Sequence, residues 1–268
     1  MCAGSGEEDV MTQQERLIYL IDYLKKENDD LKNIEVPDEE TEQKRLLRSL
    51  MNIRPAKAIG KDFLDIQDAY LQAEQKKKRL ISLADFAPVQ KGIYLWQGDI
   101  TALKTDGIVN AANSALLGCF VPCHGCIDNA IHSAAGIQLR LECARIMEAQ
   151  KTPEPVGKAK ITKAYNLPCR YVLHTVGPVI YGRVTDADCA SLADCYRSCM
   201  ELADANGLKS IAFCCISTGE FHFPNELAAE IAVQTVKECR KKDQTGPAVV
   251  FNVFKDMDYE IYRRLLKD

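Results

Sequence analysis

The change of hydrophobic texture at Gly92 constrains this chain more than any other feature. From there on, short β-branched or aromatic runs alternate with longer helical patterns, which specifies an α/β domain built on a sheet with crossover helices. Strands are predicted at Ile93–Gln97, Gly107–Ala111, Lys160–Tyr165, Tyr171–Thr175, Ser210–Ile216 and Val249–Phe254. Helices are predicted from Ile127 to about Ala149, Asp186 to Ala205, Asn225 to Arg240 and Tyr259 to Leu266. Before about Asp85 the pattern is helical with polar breaks and holds no convincing strand. Thr12 followed by Glu15 reads as a capping box, after which Leu17, Leu20, Ile21 and Leu24 share one face. A second helix near Asp38 presents Leu46, Leu47 and Leu50, and a third after Gly60 presents Phe63, Ile66, Tyr70 and Leu71. Apolar faces need a partner, so residues 1–85 are expected to form a helical subdomain packed on residues 86–268.

A chain of 268 residues, 47% of them hydrophobic, can bury one large core and still carry such an appendage. The formal charge of -4 supplies no basic field for nucleic acid, and the run from Lys76 to Arg79 reads as a solvated helix end. Glu7, Glu8 and Asp9 without a long apolar run predict neither signal peptide nor membrane span, and a cytoplasmic protein is expected. Among the twelve cysteines, Cys195, Cys199, Cys214, Cys215 and Cys239 lie in apolar helices or strands, where a thiol behaves as a small hydrophobe. Cys119, Cys123, His124 and Cys126 do not fit that account, because all four fall within eight residues.

Three loops rich in small and polar residues follow predicted strands, where open α/β sheets bind ligands. In Gly98-Asp99-Ile100-Thr101 the carboxylate is placed either to accept from an exocyclic amine or to cap a turn. In Asn110-Ala111-Ala112-Asn113 the small residues permit close approach, and Asn113 can donate to and accept from vicinal hydroxyls. In Ser217-Thr218-Gly219-Glu220-Phe221-His222 the backbone amides ahead of a helix make an anion cradle suited to a diphosphate. Between the last two lies the Cys/His cluster, whose soft donors suit zinc. No second ligand pair follows downstream, so an open site is favoured over a closed zinc finger. His174 is expected to be a hydrogen-bonded core residue, His132 to pack on its helix, and His222 to border the anion cradle.

Taken in order and spacing, these loops, together with Asp128-Asn129-Ala130-Ile131-His132-Ser133-Ala134-Ala135-Gly136 and His174-Thr175-Val176-Gly177-Pro178, resemble the macrodomain family. The match runs from about Leu95 to the end of the chain. The Cys/His insertion ahead of Asp128, where many macrodomain hydrolases are glycine-rich, resembles the zinc-containing subfamily of microbial protein-ADP-ribose hydrolases. A helical N-terminal extension is a further likeness. The resemblance implies a three-layer α/β/α fold with a mixed sheet, one zinc per chain, and removal of mono-ADP-ribose from modified proteins, with O-linked Asp or Glu sites favoured. It places Asp99 and the backbone of Ile100 on adenine, Ser217, Thr218, Gly219, Glu220 and Phe221 around the diphosphate, and Asn113 and Asp128 at the distal ribose, with Cys126 and Ile127 beside the ligand. It gives Cys119, His124 and Cys126 as zinc ligands and leaves Cys123 without a role. Some members of the subfamily act with a sirtuin-like ADP-ribosyltransferase on a lipoyl-carrier protein. The competing readings are a module that binds ADP-ribose without cleaving it, a deacetylase of O-acetyl-ADP-ribose, and a phosphoesterase; the last lacks paired metal-binding carboxylates.

Overall fold

A computed structural model describes residues 11–242 and 246–267. The acidic Glu7, Glu8 and Asp9 lie outside the described residues. Helix α1 (Gln13–Lys26) starts at a reciprocal cap, in which Thr12 accepts from the Glu15 amide and the Glu15 carboxylate accepts from the Thr12 amide. Helices α2 (Glu40–Ile53) and α3 (Lys61–Lys77) complete a three-helix unit. Leu17, Leu20, Ile21, Leu24, Leu47, Leu50, Phe63 and Tyr70 form its core, and Ile137 from the following domain packs into it. Leu46, Ile66 and Leu71 sit at its partly buried edge.

One strand was not expected in this region. Strand β1 (Ile81–Ser82) runs parallel to Leu103–Lys104 and ties the end of the helical unit to the next domain. Two residues are too few to carry a period-2 pattern, so sequence offers no signal for it.

The main sheet contains β2 (Ile93–Gln97), then, past β3 (Leu103–Lys104), β4 (Gly107–Ala111), β5 (Ala159–Lys163), β6 (Tyr171–Thr175), β7 (Ser210–Phe213) and β8 (Ala248–Val253). Its spatial order is β2-β8-β7-β4-β6-β5, parallel throughout except for β5, which pairs antiparallel with β6. Every residue of β7 is buried, as a central parallel strand covered on both faces requires. Around the sheet lie α4 (Ile127–Ala135), α5 (Ile137–Gln150), α6 (Asp186–Ala205), α7 (Asn225–Lys242) and α8 (Asp256–Leu265). Helices α4 and α5 contact each other, as do α6 with α7 and α7 with α8. This is the expected macrodomain architecture, a mixed sheet flanked by helices and preceded by a helical unit.

The single helix predicted from Ile127 to about Ala149 is in fact two. Gly136 breaks it with φ of 96°, and a Cβ there would strike the side-chain amides of Gln67 and Gln138. Gln67 of α3 uses the break: its Oε1 accepts from the Ile137 amide at 3.0 Å and its Nε2 donates to Gln138 at 2.6 Å. Strand β7 also ends earlier than its apolar run, because Cys214, Cys215 and Ile216 leave the sheet to start the loop that carries Ser217.

Candidate active site

Strands β4 and β7 are neighbours, so the loops at their C-terminal ends face one another. The β4 loop carries Asn113, whose Nδ2 donates to the Gly118 carbonyl at 3.2 Å and to Asp128 Oδ2 at 3.4 Å. Asp128 lies in the first turn of α4 and is 5% exposed; its Oδ1 accepts from Asn110 at 2.8 Å. Burial lifts the Asp128 carboxyl to about 6, against the lowering influence of Asn110 and Arg140. Both asparagines of the Asn-Ala-Ala-Asn run therefore converge on one carboxylate.

The Cys/His segment separates into two parts. Cys119, His124 and Cys126 turn inward, with their donor atoms all within 4.8 Å of one another and Cys119 Sγ 3.7 Å from His124 Nδ1. Cys123, at φ of 52°, faces the other way, and its thiol donates to the Arg45 carbonyl of α2 at 3.3 Å. The residue without a role in the sequence pattern is thus the one the backbone removes from the cluster. Cys126 also caps α4, accepting from the Asn129 amide at 3.4 Å. Burial pushes its thiol up to about 12, and the neighbouring Cys119 adds to the rise while the Asn129 amide opposes it. Two thiols and an imidazole, each partly exposed, form a soft three-donor set with an open side, which fits zinc better than an oxygen-seeking cation. The other ring nitrogen of His124, Nε2, lies 3.6 Å from Glu220 Oε1, linking this cluster to the β7 loop.

In the β7 loop Ser217 adopts φ of 64° and is backed by Gly177, where a Cβ would collide with the Ser217 hydroxyl. The Ser217 Oγ is buried with no hydrogen-bond partner. The amides of Gly219, Glu220 and Phe221 donate to no backbone acceptor among the described residues, whereas the Phe221 carbonyl accepts from Ile180 at 2.9 Å. The loop thus offers free N–H groups on a fixed frame, as an anion cradle requires. His222 stands exposed beside it.

At the edge of the sheet, Asp99 caps a 3-10 turn, accepting from the Thr101 amide at 3.0 Å and its hydroxyl at 2.7 Å. Its second oxygen accepts from Lys78 Nζ at 2.9 Å. Burial alone would raise the Asp99 carboxyl, but Lys78 and Thr101 outweigh it and hold it below the ordinary carboxylate range. Asp99 is one wall of a cleft of about 270 Å³, opposite Lys44, Arg48 and Glu74 of the helical unit and beside Ala130 of α4. Ile100 is buried behind it.

Several residues that shape this region have no local motif. Arg48 donates to Asn129 Oδ1 at 2.7 and 3.1 Å and to the His124 carbonyl at 3.0 Å. Asn52 accepts from the Cys123 amide at 2.9 Å and donates to Ser133 at 3.0 Å. Arg140 donates to the carbonyls of Leu117, Met51, Asn52 and Arg54, and its guanidinium lies 4.2 Å from the centre of the Phe120 ring. The helical unit thereby grips the Cys/His loop from behind. His132 is buried with neither ring nitrogen hydrogen-bonded; its Nε2 lies 3.5 Å from Asp128 Oδ1, and its ring packs beneath Gly118. His174 is a hydrogen-bonded core residue, as expected.

A Macro domain family model matches residues 109–232. A protein-ADP-ribose hydrolase of Treponema medium is 55% identical over 260 residues, covering 96% of this chain and 100% of the relative. One of Staphylococcus aureus (strain MRSA252) is 46% identical over 258 residues, covering 96% and 97%. Among solved structures, the Trypanosoma brucei macrodomain in complex with ADP-ribose superposes with a TM-score of 0.65 at 31% identity, covering 81% of this chain and 94% of that one. With near-complete coverage at such identity, the chain belongs to the Macro domain family, in the group that holds the protein-ADP-ribose hydrolases.

Proposed function

We propose that this hydrolase removes mono-ADP-ribose from proteins modified through O-linked Asp or Glu, with one zinc ion per chain held by Cys119, His124 and Cys126. The observation that carries the reading is the convergence of those three donors beside Asn113 and Asp128. A module that only binds ADP-ribose has no use for a soft-metal site at that place. When bound, zinc supplies Lewis acidity next to the sugar. The protein's own groups then divide the remaining work. Amides from Ser217 to Phe221 neutralise the diphosphate, Asn113 and Asp128 orient the distal ribose, and Asp99 with Ile100 holds adenine while Cys126 and Ile127 line the passage between. A modified lipoyl-carrier protein, charged by a sirtuin-like transferase, is the client that the subfamily likeness supports.

The test is incubation with a protein mono-ADP-ribosylated on acidic residues, with and without a strong chelator. Free ADP-ribose is expected only without it, together with about one zinc per chain by elemental analysis. Cys123→Ser should keep that zinc, because its thiol faces α2. Binding without release under both conditions would identify a reader, and release confined to O-acetyl-ADP-ribose would identify a metabolite deacetylase.

Asp99→Ala is expected to weaken ADP-ribose binding by about 1.5 kcal/mol, the low end for a hydrogen bond to a charged group, because Lys78 already shares that carboxylate. Calorimetric titration checks it. Unchanged affinity would place adenine elsewhere.

A further inference from the structure

Three polar side chains cross the sheet beneath the site. Asn110 of β4 is the register partner of His174 on β6, and β6 in turn pairs with β5, which carries Thr162. All three residues are buried among apolar positions such as Ile108, Val109, Val172 and Leu173. Polar groups at such depth persist when hydrogen-bonded, and each of these side chains makes at least one hydrogen bond, with Asn110 Oδ1 alone left unpaired among their polar atoms. Asn110 Nδ2 lies 2.8 Å from Asp128 Oδ1 and 3.2 Å from His174 Nδ1, and His174 Nε2 lies 2.9 Å from Thr162 Oγ1.

The chemistry of the pairs fixes the direction of every bond. The Asn110 amide nitrogen has two protons, one for the carboxylate and one for His174, so His174 Nδ1 must present a lone pair. The imidazole proton then sits on Nε2 and is donated to Thr162 Oγ1. The Thr162 hydroxyl passes its own proton towards the Val172 carbonyl, 3.5 Å away. Reversing the Asn110 amide would set its oxygen against Asp128, and in the observed orientation that oxygen is the one left without a partner. The chain therefore begins on a backbone carbonyl and ends on the one carboxylate shared by both asparagines.

We propose that His174 and Thr162 are positioning residues for the hydrolase site, holding Asn110 so that it fixes the carboxylate of Asp128 in the orientation that meets the distal ribose. The inference rests on the reading above that Asp128 belongs to the reacting end of the site. Its contacts are independent of the Cys/His loop. His174 is fully buried, with Cys143 Sγ 3.8 Å from its Nε2 and the His132 ring 6.0 Å away, and its hydrogen bond toward the Asp128 carboxylate runs through Asn110.

Two measurements on the full-length protein, with zinc content recorded for each variant, test it. Long-range proton–nitrogen NMR of the imidazoles, in a chain with four histidines, is expected to show His174 neutral with the proton on Nε2. Thr162→Val removes the acceptor at nearly constant volume and is expected to lower kcat by up to about 100-fold, the scale of a misplaced catalytic group, with ADP-ribose affinity within about twofold of wild type. Thr162→Ser should restore kcat, which a packing role would not require. Wild-type kcat in Thr162→Val would overturn the inference, as would equal losses in Thr162→Val and Thr162→Ser. An active wild type with the His174 proton on Nδ1 would overturn it while leaving the hydrolase reading intact. A wild type that cleaves nothing, with the proton on Nε2, would overturn the hydrolase reading while supporting the polarised chain.

Discussion

Cys126→Ser is expected to abolish release of ADP-ribose from modified protein while binding of free ADP-ribose stays within a few-fold of wild type. Serine is a sharper substitution here than alanine. Cys126 holds two positions at once, a donor in the three-residue cluster and the N-cap of α4. Alanine would remove the cap as well, at about 1 kcal/mol, and the helix start that carries Asp128 would loosen for reasons unrelated to metal. Serine caps well but is a poor zinc ligand. Loss of zinc with α4 intact should therefore lower turnover by about 100-fold or more, since even residues that merely support a metal ligand cost 10–100-fold. In the proposed site the adenine and diphosphate contacts come from other loops, and binding should survive. A zinc-free, folded Cys126→Ser that released ADP-ribose at the wild-type rate would reduce the metal to a structural staple and refute the proposed chemistry. The assay pairs elemental analysis, calorimetric binding and single-turnover release on the same preparation.

The largest stability effect is expected at Arg140. Its guanidinium takes the carbonyls of Met51, Asn52 and Arg54, which α2 leaves unpaired at its C-terminal end, and adds the Leu117 carbonyl of the Cys/His loop. Burial lowers its pKa to about 10, with Asp128 acting the other way, and it remains a cation at neutral pH. Arg140→Ala strands those acceptors in a region that water reaches poorly, and should cost about 3 kcal/mol or more. Arg140→Lys should recover little of this, because an ammonium cannot reproduce the planar fork that spans two segments. Equilibrium denaturation of the three proteins decides the matter. A loss below about 1 kcal/mol for Arg140→Ala would mean that these contacts are solvated and the grip on α2 is carried by other residues.

The strands and helices are more legible in the sequence than the contacts that shape the site. Strands β2, β4 and β6 and helix α6 lie where their patterns put them, because a short apolar, β-branched or aromatic run and a long amphipathic helix each leave a readable mark in the sequence. The three inward donors of the Cys/His loop were visible as residue types. The family resemblance already sets Cys123 apart from them, but the structural cause, a positive φ and a carbonyl on α2, has no local signature. Gly136 was visible as a glycine but not as a break, since its neighbours on both sides continue the helical pattern; the deciding contact is Gln67, 70 residues earlier than Ile137. Arg48 reaches Asn129 across 81 positions, and no spacing rule extends so far. The Asn-Ala-Ala-Asn run suggested a ligand contact at Asn113, but gave no hint that Asn110 turns inward to His174.

The way α2 holds the Cys/His loop would link binding of the proposed metal there to attachment of the N-terminal helices. Arg48 and Asn52 bond to the His124 carbonyl and the Cys123 amide, so the arrangement of donors and the seating of α2 are one structural state. A cation that binds only the seated state stabilises it by RT ln(1 + [M]/Kd), and by reciprocity whatever loosens α2 lowers affinity for the cation by the same factor. Loading should accordingly slow amide exchange across Glu40–Ile53, many residues away in sequence from any donor. With the proposed metal bound, the extension would report its presence, readable from its backbone without touching the site.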